Sequence, residues 1–410
     1  MENQGKAVTR VRALFSVYFI AAIDNLGYAM VFVLFPPLLL NPQYGFLSSH
    51  PSLVAKLITM GALYAAFPIA QLIGAPLIGE LADRYGRKRL FFITVVGTIL
   101  GYFLTGLMLE AKNIFLIFTG RFITGLFSGN QGLCNASIAD LSPNEKLRAR
   151  NFGLLTVVWG ITFPIALFLG GFASDPGLSK HFSPSFPFYI AGWVTVLSLL
   201  TLIFFYRETF KETKKRIHID LIKGFQNIID ALRSPSTKRF FILMLVWTIG
   251  WAYYVTWYGA YCIQKFGVSQ EMVTLGLMVQ GLFWTMGGSI AKPILLRYLE
   301  VRSIAKLSYI VAAILLGLSA LMPTFYTFIS IYSLSAVMGA VSLSSTFNLI
   351  STSSHSAVQG KAMGIAQSMI SLGFFLVPIL GSISGSISID TFYPTAAFFM
   401  VLGFGLLRKR

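Results

Sequence analysis

The chain is poor in charge. Asp, Glu, Lys and Arg make up 11% of its 410 residues, against roughly 25% in ordinary soluble domains. A soluble fold cannot cover its surface with so few. Cysteine is almost missing: Cys134 and Cys262 are the two present, which excludes a disulfide scaffold. The four histidines, His50, His181, His218 and His355, are scattered and suggest no metal cluster, so no metal or other cofactor is expected. The phosphate-cradling G-x-x-x-x-G-K-[ST] loop is absent, which excludes a self-sufficient ATP-driven pump. The G-x-S-x-G elbow of hydrolases is absent as well. No enzyme is expected.

What is present is apolar. The hydrophobic share is 55%, with 37 Phe, and this mass excludes disorder. A bilayer core about 30 Å thick needs roughly 20 apolar residues per helix. Twelve such segments can be marked, at about 13–36, 56–79, 90–109, 113–137, 150–173, 186–205, 239–262, 271–293, 303–322, 325–348, 361–384 and 389–407. Barrel strands of about ten alternating residues do not fit runs this long. The expected fold class is an all-α membrane protein of twelve transmembrane helices.

The formal net charge is +17, which in a soluble protein would suggest nucleic acid. Its placement argues otherwise. No Asp, Glu, Lys or Arg occurs from Leu307 to Gly360 or from Phe240 to Gln264. Lys6, Arg10 and Arg12 precede an apolar run from Ala13 to Leu40 whose only charge is Asp24. That run is too long for a signal-peptide core, so it reads as a retained span. With the N-terminus inside, the outer loops hold Lys56, Lys112, Lys180 and Lys265, and Arg121 lies within segment 4. Every other Lys and Arg falls on the cytoplasmic side, as the positive-inside rule asks. The expectation is a multi-pass protein of a bacterial-type inner membrane with both termini cytoplasmic, its surroundings lipid and not nucleic acid. Cys134 and Cys262 fall at opposite membrane faces and cannot pair.

The polar stretch Arg207–Arg239 divides the segments six and six. The domains expected are an N-terminal bundle at 1–206, a cytoplasmic linker at 207–238 and a C-terminal bundle at 239–410. Within the linker, apolar residues at 221, 222, 225, 228, 229 and 232 have helical spacing, as in an amphipathic helix lying on the inner leaflet; a plain linker is the alternative. Duplicated halves of this kind build alternating-access transporters with the substrate site near the midplane. A monomer is expected.

Between segments 2 and 3 the chain reads Gly79-Glu80-Leu81-Ala82-Asp83-Arg84-Tyr85-Gly86-Arg87-Lys88-Arg89-Leu90. Gly79 would allow two helices to approach closely, and Gly86 a tight turn. Asp83 can accept from a helix N-terminus or an arginine. Contacts of this kind that form in one conformer and break in another make a latch; a positive-inside anchor is the plainer alternative. The stretch closely resembles the G-x-L-A-D-R-x-G-R-K signature of the major facilitator superfamily. The resemblance implies two six-helix bundles that rock about a central site, and a latch of Gly79, Asp83, Arg84, Gly86, Arg87 and Lys88.

The likeness narrows. Segment 1 (AAIDNLGYAMVFVLFPPLL), the GRFITGLFSG of segment 4 and the loop ADLSPNEKLRARNFG are similar to the tetracycline/multidrug proton antiporter branch. Exporters of that branch carry a tight Gly-Pro and Gly-Gly signature in segment 5. Here Gly160, Pro164 and Gly170-Gly171 are spread apart. The loop between segments 8 and 9, GGSIAKPILLRYLEVRS, keeps Arg297 and Arg302 but no Asp. The likeness to that branch favours proton-coupled export of an amphipathic drug-like or metabolite compound, while the spread segment-5 signature keeps uptake of a nutrient or siderophore-like molecule as the alternative.

An ionised group at the bilayer centre costs about 2.5–3.5 kcal/mol on insertion scales. Asp24 and Arg121 bear that penalty at depths only a few ångströms apart. They are expected to form a pair or share a water network, with Asp24 as a protonation switch; a static ion pair that fixes packing is the alternative. Asn and Gln fall inside segments 1, 2, 4, 8, 10 and 11 and are missing from 3, 6, 9 and 12, which suits the former around a cavity and the latter toward lipid. In segment 4, Arg121, Gly125, Ser128, Gly132 and Asn135 share one face. In segment 7, Trp247, Trp251, Tyr254, Tyr258 and Tyr261 form a stripe, equally readable as cavity wall or interhelical packing. The residues expected to line a substrate cavity are Tyr28, Gln71, Gln131, Asn135, Trp159, Trp251, Tyr254, Tyr258, Gln280 and Gln367. The expected ligands are a small-molecule substrate and protons.

Overall fold

The computed structural model describes residues 2–47, 51–209, 229, 238–353 and 359–408. The amphipathic helix expected at 220–233 lies outside them but for Ile229. No strand occurs among the described residues. The helices are α1 (Glu2–Ala29), α2 (Val31–Leu40), α3 (Leu53–Tyr85), α4 (Arg87–Glu110), α5 (Ile114–Phe127), α6 (Asn130–Leu141), α7 (Glu145–Gly171) and α8 (Phe186–Phe205). After the linker come α9 (Lys238–Thr256), α10 (Tyr258–Phe266), α11 (Gln270–Leu295), α12 (Val301–Ala320), α13 (Phe325–Ser353), α14 (Gln359–Ile387) and α15 (Phe392–Arg408).

These helices make twelve spans, three of them interrupted. Among the described residues, eleven stretches are long and apolar enough to cross a membrane, one of them running through the break in segment 1. Segment 4, expected to be one helix, is broken at Ser128 and Gly129, so α5 and α6 are each too short alone. Segment 1 breaks at Met30 and segment 7 at Trp257. Large apolar side chains such as Phe115, Trp193 and Leu282 are exposed, which a bilayer tolerates and water does not.

Two compact units emerge. The first comprises Met1–Val31 and Ala66–Leu221, the second Phe32–Ala65 and Ile222–Arg410. In the first, α1 packs on α6, α7 and α8, and α4 packs on α5 and α8. Its core gathers Val17, Ile20, Phe91, Cys134, Ile138 and Tyr206. In the second, α12 packs on α13 and α15, and α9 on α14 and α15. The stretch Phe32–Ala65 joins that unit through named contacts. The Leu57 carbonyl accepts from Ser382 Oγ at 3.1 Å. Tyr44 donates to Gln270 Oε1 at 3.2 Å, and the Tyr64 ring meets Trp257 edge-on. Both cysteines are buried and free.

Candidate functional site

The helix breaks in segments 1 and 4 organise the polar interior of the first unit. Gly27 lies in the last turn of α1, where carbonyls lack helical partners and the negative end of the helix dipole gathers. Arg121 of α5 answers it. Its Nη1 donates to the Gly27 carbonyl at 2.8 Å, and its guanidinium lies 4.9 Å from the centre of the Phe67 ring. The arginine is 1% exposed. At the other break, α6 begins at Asn130, beside Asp24. Asn130 Nδ2 donates to Asp24 Oδ1 at 3.2 Å, and the Asn130 backbone N–H faces the same carboxylate. Buried Arg121 and half-buried Asp24 thus each sit at a helix end of opposite sign, which lowers the cost of holding a charge within a membrane.

Asp24 and Arg121 were expected to pair or to share a water network. Gly27, whose carbonyl takes the hydrogen bond from Arg121 Nη1, stands three residues beyond Asp24. Tyr102 of α4 lies close to both charges and donates to the Ile23 carbonyl at 3.1 Å. Gly27 is needed beside it: a β-carbon there would collide with the Tyr102 hydroxyl.

Other expected cavity residues surround the breaks. Gln71 Nε2 donates to the Ser128 carbonyl at 3.1 Å, capping the last turn of α5. The Tyr28 ring leans on Phe67 at 5.7 Å. Trp159 offers its carbonyl to Asn25 Nδ2 at 3.1 Å and packs its ring on the core. Gln131 and Asn135 are half-buried on α6.

The turn between α3 and α4 carries the expected latch. Arg87 pairs with Asp140 at the end of α6, 2.7 Å away. Gly86 adopts φ +90° and ψ 152°, a conformation essentially closed to other residues. Beyond it the free amides of Arg87 and Lys88 each donate to one oxygen of Glu208, both at 3.0 Å. A β-carbon on Gly86 would come within 2.6 Å of Glu208 Oε2. Lys88 Nζ donates to the Ile203 carbonyl at 3.3 Å, while Arg84 is exposed over the Tyr85 ring. The side chain of Asp83 lies outside those described. Gly79 is a correction: a β-carbon there would meet nothing within 4 Å, so it is not a point of close approach. Asp140 and Glu208 were not among the expected latch residues. An acidic residue closing the last polar turn after segment 4 was a readable cue for the first; Glu208 is too distant in the chain to have offered one.

In the second unit the aromatic stripe is packing. Trp251, Tyr254 and Tyr258 are 9%, 0% and 0% exposed. Tyr254 stacks on Tyr332 at 3.9 Å and on Trp251 at 4.4 Å. Trp251 meets Trp284 at 4.2 Å, and Trp247 donates to Ser342 Oγ at 2.8 Å. The glycines opposite explain the choice: Gly339 accepts the face of Trp251, and Gly276 the hydroxyl of Tyr258. Ring against ring excludes more apolar area than ring against an open volume would. Gln280 is 2% exposed, and Gln367 is half-buried.

Residues 17–378 match the family model of the Major Facilitator Superfamily. The chain is 30% identical over 200 residues to the "Tetracycline resistance protein, class H" of Pasteurella multocida, covering 49% of this chain and 46% of that protein. The chain thus spans about half the length of that relative. It is 24% identical over 353 residues to the "Quinolone resistance protein NorA" of Staphylococcus aureus, covering 85% and 84%. Among solved structures, a D-xylose-proton symporter superposes with a TM-score of 0.72 at 15% identity, over 97% of this chain and 98% of that one.

Proposed function

The chain belongs to the Major Facilitator Superfamily, and from that premise we propose that it is a proton-coupled exporter of an amphipathic drug-like or metabolite compound, working by alternating access in a bacterial-type inner membrane with both termini cytoplasmic. The observation that carries this reading is Asp24. It is an acid inside a span, supported by Asn130 at the start of α6 and separated from Arg121 by one turn of α1. Desolvation favours its neutral form, while the helix end and the nearby guanidinium favour its charge. A movement that changes either environment changes its hold on a proton.

The likeness to tetracycline and quinolone resistance proteins supports export. Energetics allow it. One proton crossing about 100 mV contributes about 2.3 kcal/mol, and one pH unit adds about 1.4. Together they sustain at most a several-hundredfold gradient per proton. The latch of Arg87, Lys88, Asp140 and Glu208 would hold one conformer and release in the other.

Inside-out vesicles test the reading. After the lumen is acidified, an exported substrate should draw protons out and raise lumenal pH. No substrate-dependent change, together with uptake in whole cells, would favour the alternative of nutrient uptake, for which the spread Gly160, Pro164 and Gly170 of α7 already speak.

A further inference from the structure

The break in segment 4 leaves two buried polar atoms without partners. Ser128 and Asn130 are each 1% exposed, and neither Ser128 Oγ nor Asn130 Oδ1 has a hydrogen-bond partner. A buried acceptor left alone is costly and calls for a reason. The other end of the same carboxamide, Asn130 Nδ2, donates to Asp24 Oδ1 at 3.2 Å. That arrangement serves an ionised Asp24, which can only accept. A protonated Asp24 has a hydrogen to give and needs an acceptor. The carboxamide can supply one by a half-turn that exchanges its oxygen and nitrogen.

We propose that Asn130 is a positioning residue for the proton on Asp24, its carboxamide turning Nδ2 toward the carboxylate and Oδ1 toward the carboxylic acid. The inference rests on the reading of Asp24 as the coupling acid. A proton from water is all that is gained: it bonds to one Asp24 oxygen, and the carboxamide gains and loses nothing. Asn130 opens α6 beside Gly129, at the break between α5 and α6. After the turn, the amino group points to the side that now holds the orphaned oxygen, and Ser128 Oγ, two residues back in the break, is an unused acceptor.

Other titratable and charged groups face this region from the neighbouring helices. Arg121 of α5 is engaged with the Gly27 carbonyl. Tyr28 follows on α1, Tyr102 faces Asp24 from α4 and Cys134 from α6. Arg150 of α7 lies beside Tyr18, six residues earlier on α1. On α8, Tyr189 lies beside Glu110, and no charged residue occurs between Phe186 and Phe205.

Infrared difference spectra of the full chain in lipid vesicles, between acid and alkaline pH, test this. The wild type should give a carboxyl C=O band that Asp24→Asn removes. In Asn130→Leu, which cannot accept, the band should persist but move to higher wavenumber. Nitrogen NMR of the wild type with labelled asparagine needs no such variant. The Asn130 carboxamide signal, identified by its loss in Asn130→Gln, should shift with the same midpoint as the Asp24 band. A carboxamide signal that stays fixed while the Asp24 band comes and goes overturns the role of Asn130 and leaves Asp24 as the coupling acid. A band unmoved by Asn130→Leu does the same. If no Asp24 band appears at any pH, both the proton-coupling reading and this inference fall.

Discussion

Tyr254 and Tyr332 each donate a hydroxyl hydrogen to the other's backbone carbonyl, at 2.7 and 3.0 Å, while their rings stack at 3.9 Å. The clasp ties α9 to α13 at two points. Tyr254→Phe keeps the ring and removes one bond, while the Tyr332 carbonyl keeps the Ser335 hydroxyl as a donor at 2.6 Å. The expected loss is about 0.5–1.5 kcal/mol, read by denaturation of the purified protein in micelles. Tyr332→Phe should lose a similar amount. Because the two bonds brace one contact, the double variant should lose less than the two losses added. Strict additivity would show that the bonds act independently.

Asp24→Asn keeps the size of the side chain and its ability to accept from Asn130, but it cannot ionise. It should insert and express as the wild type does. Substrate-driven proton flux in inside-out vesicles should disappear. A variant that still exchanged substrate for protons would remove Asp24 from the coupling mechanism.

Gly86 and Gly79 stand at either side of one signature and should respond differently. Gly86→Ala meets both a forbidden backbone region and the Glu208 carboxylate, and strain at such positions costs about 1–3 kcal/mol. Transport should fall roughly tenfold or more, since about 1.4 kcal/mol is a factor of ten. Gly79→Ala, with open space around the new methyl, should remain near wild-type rates. Adding Glu208→Ala to Gly86→Ala should recover only part of the loss, because the backbone conformation still resists. Initial transport rates at matched expression measure all three.

Lys265 is a junction at the end of α10, beyond the candidate spans. Its Nζ donates to Tyr261 Oη, the Ala320 carbonyl and Asp390 Oδ1, at 2.8, 2.9 and 2.7 Å. Burial weakens its hold on the proton, but the hydrogen bonds to Asp390 and Tyr261, with their charge, outweigh burial and raise it above the ordinary lysine value. A raised value in the folded state means the stabilisation is complete below the ordinary lysine value. It is lost as pH climbs through the raised one. Thermal unfolding should therefore show no contribution from Lys265 titration around neutrality and a decline only in strong alkali. Asp390→Asn should cost at most about 1 kcal/mol, as for other exposed pairs, and less at high salt. A large change near pH 7 in the wild type that Asp390→Asn abolished would contradict this assignment.

The spans were legible because hydropathy over about 20 residues reports a bilayer directly. The all-helical fold follows from the same runs. What escaped reading was local. Ser128-Gly129 looked like two more small residues on a packing face, yet it ends one helix and begins another. Depth along two helices suggested that Asp24 and Arg121 would pair or share water. It could not reveal that the carbonyl of Gly27 takes a hydrogen bond from the arginine. Glu208 stands 121 residues from the amide of Arg87 that it holds, and no spacing rule connects them. The aromatic stripe of segment 7 was legible as a stripe; whether it faced a cavity or other helices depended on Gly339 and Gly276 across the contact.

The interruption of segment 4 has a mechanical consequence. Its first half is fastened to α1 through Arg121, and its second half to the head of α4 through Asp140 and Arg87. An unbroken rod would carry any twist at one fastening straight to the other. With a joint at Ser128 and Gly129, steadied by Gln71, the two levers can swing in sequence, so the chemistry at Asp24 and the grip at Arg87 need not change in the same instant.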